Sequence, residues 1–328
     1  MVMRTGTRLV ATLLVVALCT LSGCGLFSGR ESATPITPER TSLKVGVGSA
    51  MDTAPLRIAV ADGSFARAGL RIELVEQPSH ADGLAKLASG ELDVAFGSDT
   101  AIFKAAAGGQ AGLQLQGEAY TSAAFTMALV TLPGSKYTDP GGKKAPVIAV
   151  DTMDDLGTLA ARSMLVPAGV DPAKISFIQR PFEQMPQALR RGDADAALLL
   201  EPFITKAGKE LGARILVDSA RGATLNFPMS GYVANGAFAQ ANPHTLALFR
   251  QVLSAAQQQA ADPATVRQAL PSIAGIDETT AALVALGSYP TSLNGVRLQR
   301  VADLMHSSGL LTDRLDVQSM LPPKGNLS

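Results

Sequence analysis

The stretch Ser89-Gly90-Glu91-Leu92-Asp93-Val94-Ala95-Phe96-Gly97-Ser98-Asp99-Thr100 decides the fold, because its pattern returns 102 residues later as Arg191-Gly192-Asp193-Ala194-Asp195-Ala196-Ala197-Leu198-Leu199-Leu200-Glu201-Pro202. In each copy a glycine stops an amphipathic helix and the chain turns through charged residues. A short apolar strand follows, and an acidic residue opens the next helix. The register extends outward: Met51-Asp52 falls on Met153-Asp154, Ile102 on Ile204 and Lys104 on Lys206. Such agreement at one offset predicts two similar lobes. Two generic α/β units sharing only turn chemistry are the alternative.

Around the first copy, strands are expected at 43–47, 71–75 and 94–97, and helices from 53, over 81–89 and over 99–107. Around the second, strands are expected at 147–150, 175–178 and 196–199, with helices over 154–165, 183–191 and 201–211. The βαβαβα order implies parallel-rich sheets covered on both faces. The fold class is therefore α/β, two similar lobes with parallel-rich sheets and a ligand cleft between the lobes. Open α/β sheets take ligands outside the strand C-termini, where helix starts offer free N–H groups. Beyond Gly231 the chain reads as mostly helical, over 242–260, 263–270, 277–286 and 294–308, and these helices are expected to pack back on the first lobe. The domain reading is 1–23 signal peptide, 24–42 lipidated cysteine and flexible tether, 43–120 plus 232–328 lobe 1, and 121–231 lobe 2.

The N-terminal segment reads as an export signal. Arg4 and Arg8 precede the apolar run 9–18, and Ser22-Gly23 are small residues before Cys24. This is a lipoprotein pattern in which Cys24 becomes the lipidated first residue, and two acyl chains there give a stable anchor. An uncleaved transmembrane anchor is the alternative, diluted by Ser22, Gly23 and Gly25. The expected place is extracytoplasmic, lipid-anchored to the cell membrane. With only Cys19 and Cys24 in the chain, the exported domain has no disulfide, thiol nucleophile or cysteine metal ligand. Beyond residue 23 there are 26 basic and 28 acidic residues, net −2, and no basic stripe for nucleic acid. His80, His244 and His306 are isolated, and no pair has metal-ligand spacing. No metal, cofactor or catalytic residue is implied, and a monomer is expected.

At this point the chain resembles the substrate-binding proteins of ABC importers, in the branch handling nitrate, sulfonates, taurine and the pyrimidine precursor of thiamine. The resemblance is carried in order by Leu43-Lys44-Val45-Gly46-Val47, Asp52-Thr53-Ala54-Pro55-Leu56, Gly63-Ser64-Phe65, Ala68-Gly69-Leu70, residues 89–97, Gly192-Asp193-Ala194-Asp195-Ala196, Glu201-Pro202-Phe203 and Ser230-Gly231-Tyr232-Val233-Ala234. It implies a type II periplasmic-binding-protein fold whose lobes are joined by two crossover segments, near 119–125 and 227–232, and close on ligand by hinge motion. It also implies docking on membrane permease subunits served by a separate ATPase. This chain has no Walker A sequence of its own. An enzyme of the thiamine-pyrimidine type on the same fold, and a ligand-sensing lipoprotein without a transporter, are the alternatives. The enzyme relatives carry a cysteine-rich iron motif that this exported domain cannot supply.

Positions just past strand ends are the candidate ligand-binding residues: Ser49, Asp52, Thr53, Ser98, Asp99 and Thr100 in the first lobe, and Asp151, Thr152, Met153, Glu201 and Phe203 in the second. Tyr120, near a crossover, either meets ligand or braces the hinge. Ser98, Thr100 and Asp52 serve equally as helix caps. The acidic rim of Asp52, Asp99, Asp151 and Glu201 favours a neutral or cationic nitrogen-containing organic ligand, because a bound oxyanion would be repelled. Sulfonate or nitrate stays open, since helix starts hold anions without arginine and Arg57 stands where relatives often carry an aromatic.

Overall fold

The chain folds around two five-stranded sheets, each a copy of the other. The computed structural model describes residues 37–323, Ala111 excepted. The signal over 1–23, Cys24 and the tether as far as residue 36 lie outside the described residues. The first lobe contains β1 (Ser42–Val47), α1 (Ala54–Ala61), α2 (Ser64–Arg67), β2 (Arg71–Glu76), α3 (His80–Ser89), β3 (Val94–Ser98), α4 (Asp99–Ala107) and β4 (Gln114–Thr121). The second contains β5 (Met127–Thr131), β6 (Val147–Val150), α5 (Leu156–Leu165), β7 (Ser176–Gln179), α6 (Met185–Arg191), β8 (Ala196–Leu200), α7 (Phe203–Leu211) and β9 (Arg214–Asp218). The chain returns through β10 (Pro228–Ala234) into α8 (Gly236–Ala241), α9 (Pro243–Gln259), α10 (Pro263–Ala274), α11 (Glu278–Leu283) and α12 (Gly295–Ser307).

Strand order is β2-β1-β3-β10-β4 in one sheet and β7-β6-β8-β5-β9 in the other. The first three strands of each order are parallel. The fourth is antiparallel to both its neighbours and in each lobe is the strand that follows a crossover. The two-lobed, parallel-rich α/β class is as expected. The antiparallel strands inside it were not read from the sequence.

Equivalent side chains hold the two copies. Gly90 and Gly192 end α3 and α6 in the left-handed conformation, at φ 78° and 74°, which glycine adopts without a Cβ penalty. Asp93 then turns back on β1, its carboxylate accepting from Lys44 N at 2.8 Å and from Arg40 Nη1 at 2.8 Å. Asp195 does the same on β6, accepting from Val147 N at 2.8 Å and from Lys143 Nζ. Asp93 is only 9% exposed, because a strand N–H left unpaired by the ladder needs this partner once helices cover the sheet.

One apolar cluster fills one side of the first sheet, with Val45, Phe65, Tyr232 and Phe249 among its members. Phe249 of α9 stacks on Phe65, with ring centroids 5.7 Å apart. A smaller cluster, including Val130, Met185 and Leu199, fills the corresponding side of the second. A third runs through both lobes, from Leu84 and Ile102 to Ile148 and Leu159.

Several expected boundaries shift. Pro228 already pairs with Thr121 in the first sheet, so the boundary placed at 231/232 falls inside β10. The tether drawn to residue 42 is fixed before it ends: Glu39 accepts from His244 N and Thr245 N, and Arg40 pairs with Asp93. Helices α5, α6 and α7 begin two residues later than read, since Asp155 caps α5 and Pro202 precedes α7. The C-terminal helices do not all stay on the first lobe. Asp277, the N-cap of α11, holds Lys209 of α7 at 2.9 Å. Segment 285–288 braces the first crossover, through paired backbone bonds between Thr121 and Ser288 and a bond from Gly287 N to the Tyr120 hydroxyl.

Candidate functional site

A cavity of about 600 Å3 lies between the lobes. It is built from the ends of corresponding strands. The first lobe presents Ser49 and Asp52 after β1, Gln77 and His80 after β2, and Phe96 and Ser98 at the end of β3. The second presents Asp151, Thr152 and Asp155 after β6, Gln179 at the end of β7 and Phe182 after it, and Glu201 and Phe203 after β8. Met229 and Ser230 of β10 complete the wall. Duplication thus places two sets of strand C-termini against each other, which is where such sheets present ligands.

Of the candidate residues, Ser49, Asp52, Ser98, Asp151, Thr152, Glu201 and Phe203 line the cavity. Thr53, Asp99, Thr100, Tyr120 and Met153 do not. Thr53 is fully buried, donating to Ser49 O at 2.7 Å and accepting from Arg57 Nε at 2.8 Å. Met153 is 40% exposed. Tyr120 packs against Tyr289 with ring centroids 5.3 Å apart and accepts from Gly287 N, which is the bracing alternative. Asp99 points into the first lobe, and neither of its oxygens has a hydrogen-bond partner. Burial, then Glu118 and Asp52, push its carboxyl well above the usual range against the pull of Arg297.

Arg57 does not reach the cleft. Its guanidinium takes both oxygens of Glu76, at 2.6 and 3.0 Å, and bonds Gly48 O at 3.0 Å. Among the lining residues there are five carboxylates, Asp52, Asp151, Asp155, Glu183 and Glu201, and no lysine or arginine; His80 is the one basic side chain. Asp52 accepts from Ser49 Oγ at 2.9 Å and Ser230 Oγ at 2.6 Å. Glu201 accepts from Thr205 Oγ1 at 2.8 Å, Thr205 N at 3.1 Å and Ala285 N at 3.0 Å, so it also ties the second lobe to the bracing segment. Burial still holds Asp52, Asp151 and Glu201 above the ordinary carboxylate range. These groups are short of positive charge, and a cation entering the cavity would lower all three.

Phe182 and Phe203 stack at 5.0 Å with 20° between their planes, forming a half-buried aromatic wall. Asp155, not named from the sequence, spans the cleft: it accepts from Ser98 Oγ at 3.0 Å, from Thr100 Oγ1 and from Leu156 N at 2.7 Å, with His80 Nδ1 at 3.7 Å. Its position ahead of the apolar face starting at Leu156 is an N-cap signal, but nothing in the sequence says that it reaches the other lobe. Among the described residues no group of three or more His, Cys, Asp or Glu is arranged to hold a metal ion.

Comparison with solved structures finds the same fold in other proteins. The periplasmic aliphatic sulphonate binding protein SsuA from Escherichia coli is similar over 86% of this chain and 97% of its own, with TM-score 0.71 and 19% identity. The periplasmic nitrate-binding protein NrtA from Synechocystis PCC 6803 matches over 87% of this chain and 86% of its own, at TM-score 0.70 and 15% identity. A ligand binding component of an ABC-type import system from Staphylococcus aureus matches over 87% and 97%, at TM-score 0.73 and 14% identity. At these identities the likeness is one of fold. Comparison with curated proteins returned no match. The family model described as NMT1-like matches residues 36–274, most of the chain, and the chain belongs to that family.

Proposed function

We propose that this protein is the solute-binding component of an ABC-type importer, a lipoprotein anchored outside the cytoplasm through Cys24. It captures a small organic solute between its lobes and presents the closed form to permease subunits as a monomer. Similarity of fold to the sulfonate-binding, nitrate-binding and ABC-import ligand-binding proteins supports the receptor role. The solute class rests on a single observation: five carboxylates and no lysine or arginine line the cavity. A neutral or cationic nitrogen-containing molecule suits that lining. A protonated amine or ring nitrogen meets Asp52, Asp151 or Glu201, and an attached ring packs on Phe182 and Phe203. Nitrate and sulfonates meet repulsion there.

The test is isothermal titration calorimetry on the purified exported domain. The panel contains protonated amines, nitrogen heterocycles, taurine, an alkanesulfonate and nitrate. Saturable binding of amines or heterocycles is expected. Binding confined to the sulfonate or nitrate overturns the solute class, and a silent panel with folded protein counts against the receptor role.

A further inference from the structure

A receptor cleft that faces helix starts is by default a place for anions, because free N–H groups and the helix dipole favour negative charge. In this chain an anion is already there, and it is part of the protein. Asp155 of the second lobe lies at the start of α4 in the first. Ser98, the N-cap of α4, accepts from Ala101 N at 3.1 Å and donates its own hydroxyl to the Asp155 carboxylate at 3.0 Å. Thr100 Oγ1, in the first turn of α4, donates to the same carboxylate. From its own lobe Asp155 accepts from Leu156 N at the start of α5. Two helix starts from opposite lobes therefore converge on one buried carboxylate, with the His80 ring on its flank. Beside this contact Lys104 Nζ reaches Asp154 O at 3.1 Å, again across the lobes.

We propose that Asp155 determines solute charge by occupying, with its own carboxylate, the donor array that would otherwise hold an oxyanion, and that this contact latches the lobes. The inference rests on the cleft being the solute site. It explains how a fold with anion-ready helix starts is turned toward neutral or cationic solutes. An oxyanion entering the closed cleft competes with Asp155 for Ser98 and Thr100 and meets its charge. A cation leaves the array intact.

The test measures methanesulfonate, sulfate and nitrate binding to the exported domain by calorimetry in three variants. Asp155→Ala is expected to gain at least tenfold in affinity for one of these anions over wild type. Asp155→Asn, which keeps the shape of the plug, is expected to gain less. Asp151→Ala removes a lining carboxylate without clearing the helix starts, and is expected to gain little. No gain in folded Asp155→Ala overturns the proposal, as does an equal gain in Asp151→Ala, which makes net charge the cause. If Asp155→Ala does not fold, Ser98→Ala with Thr100→Val removes the partners instead. X-ray scattering should then read a larger radius of gyration for this double variant than for wild type as the latch opens, while anion binding to wild type stays weak; an unchanged radius, or tight anion binding by wild type, overturns the proposal. Amine or heterocycle binding by wild type is a separate readout, so the solute class can fail while the plug stands, and the reverse.

Discussion

Replacing Asp93 or Asp195 by alanine should cost the same in each lobe, because the two carboxylates do one job twice. Asp93 gives Lys44 N a charged acceptor at 2.8 Å, and Asp195 gives one to Val147 N at 2.8 Å. A hydrogen bond to a charged group contributes about 1.5–3 kcal/mol, and its loss leaves a strand N–H unpaired. The attached ion pairs add less. The Arg40 side chain is 47% exposed and that of Lys143 45%, so each pair contributes about 0.2–1 kcal/mol. Each alanine variant should then lose about 1.7–4 kcal/mol. Asparagine keeps a neutral acceptor and should recover about half of that. The sites lie in different lobes, so the double variant should be additive to within about 0.5 kcal/mol. Urea unfolding followed by circular dichroism measures this. If the lobes unfold in separate steps, Asp93→Ala moves one transition and Asp195→Ala the other. A loss below about 0.5 kcal/mol in either lobe, at the low end of a single neutral hydrogen bond, refutes the equivalence.

Further outcomes follow from the cleft. Burial by itself would lower the His80 imidazole, but the Asp155 carboxylate beside it, with Asp52 and Asp151 beyond, holds it above its ordinary value, while Phe96 packs at its ring edge. Burial by itself would raise Asp155, and the same pairing with Thr100 and Leu156 N holds it below. The stability carried by raised His80 is fully present below its unfolded pKa and is lost as pH rises through its folded one. That carried by lowered Asp155 is present above its unfolded pKa and is lost as pH falls through its folded one. Thermal melts across pH should therefore show a contribution fading on the alkaline side that His80→Asn abolishes; an unchanged profile in His80→Asn breaks the link. Phe203→Ala removes half of the stacked wall, and an aromatic contact is worth about 0.5–1.5 kcal/mol, so ring-bearing solutes should weaken about 2–12-fold; equal loss for an aliphatic amine contradicts the wall's role. Radiolabelled fatty acid should enter the full chain and not its Cys24→Ser variant; label in both removes the anchor.

The parallel half of each sheet was legible because glycine stops, charged turns and apolar runs sit at one offset, and the structure puts Asp93 and Asp195 at equivalent strand edges for that reason. The antiparallel half was not. β4 reads Gln-Leu-Gln-Gly-Glu-Ala-Tyr-Thr, too polar for a buried strand. Its Glu118 is buried by a two-pronged contact with Arg297, at 2.9 and 2.8 Å, from a helix 179 residues away. The loops that form the cleft were legible as strand ends followed by helix starts. Which side chains turn inward was not: Asp99 and Glu201 share a place in the repeat, yet Asp99 faces the first lobe's interior and Glu201 the cavity. Asp155 carried only a capping signal, since its partners Ser98 and Thr100 lie across a gap that no local pattern encodes.

Closure of two lobes on a captured solute is the central claim, and the distance between the lobes tests it most directly. Glu73 on β2 and Ser176 on β7 are exposed, on equivalent strands, and outside the cavity lining, and the domain after Cys24 has no other cysteine. Spin labels on Glu73→Cys and Ser176→Cys, read by double electron–electron resonance, should give one shorter, narrower distance with a solute that calorimetry shows to bind than without it. The same distribution in both states, at saturating solute, contradicts the account.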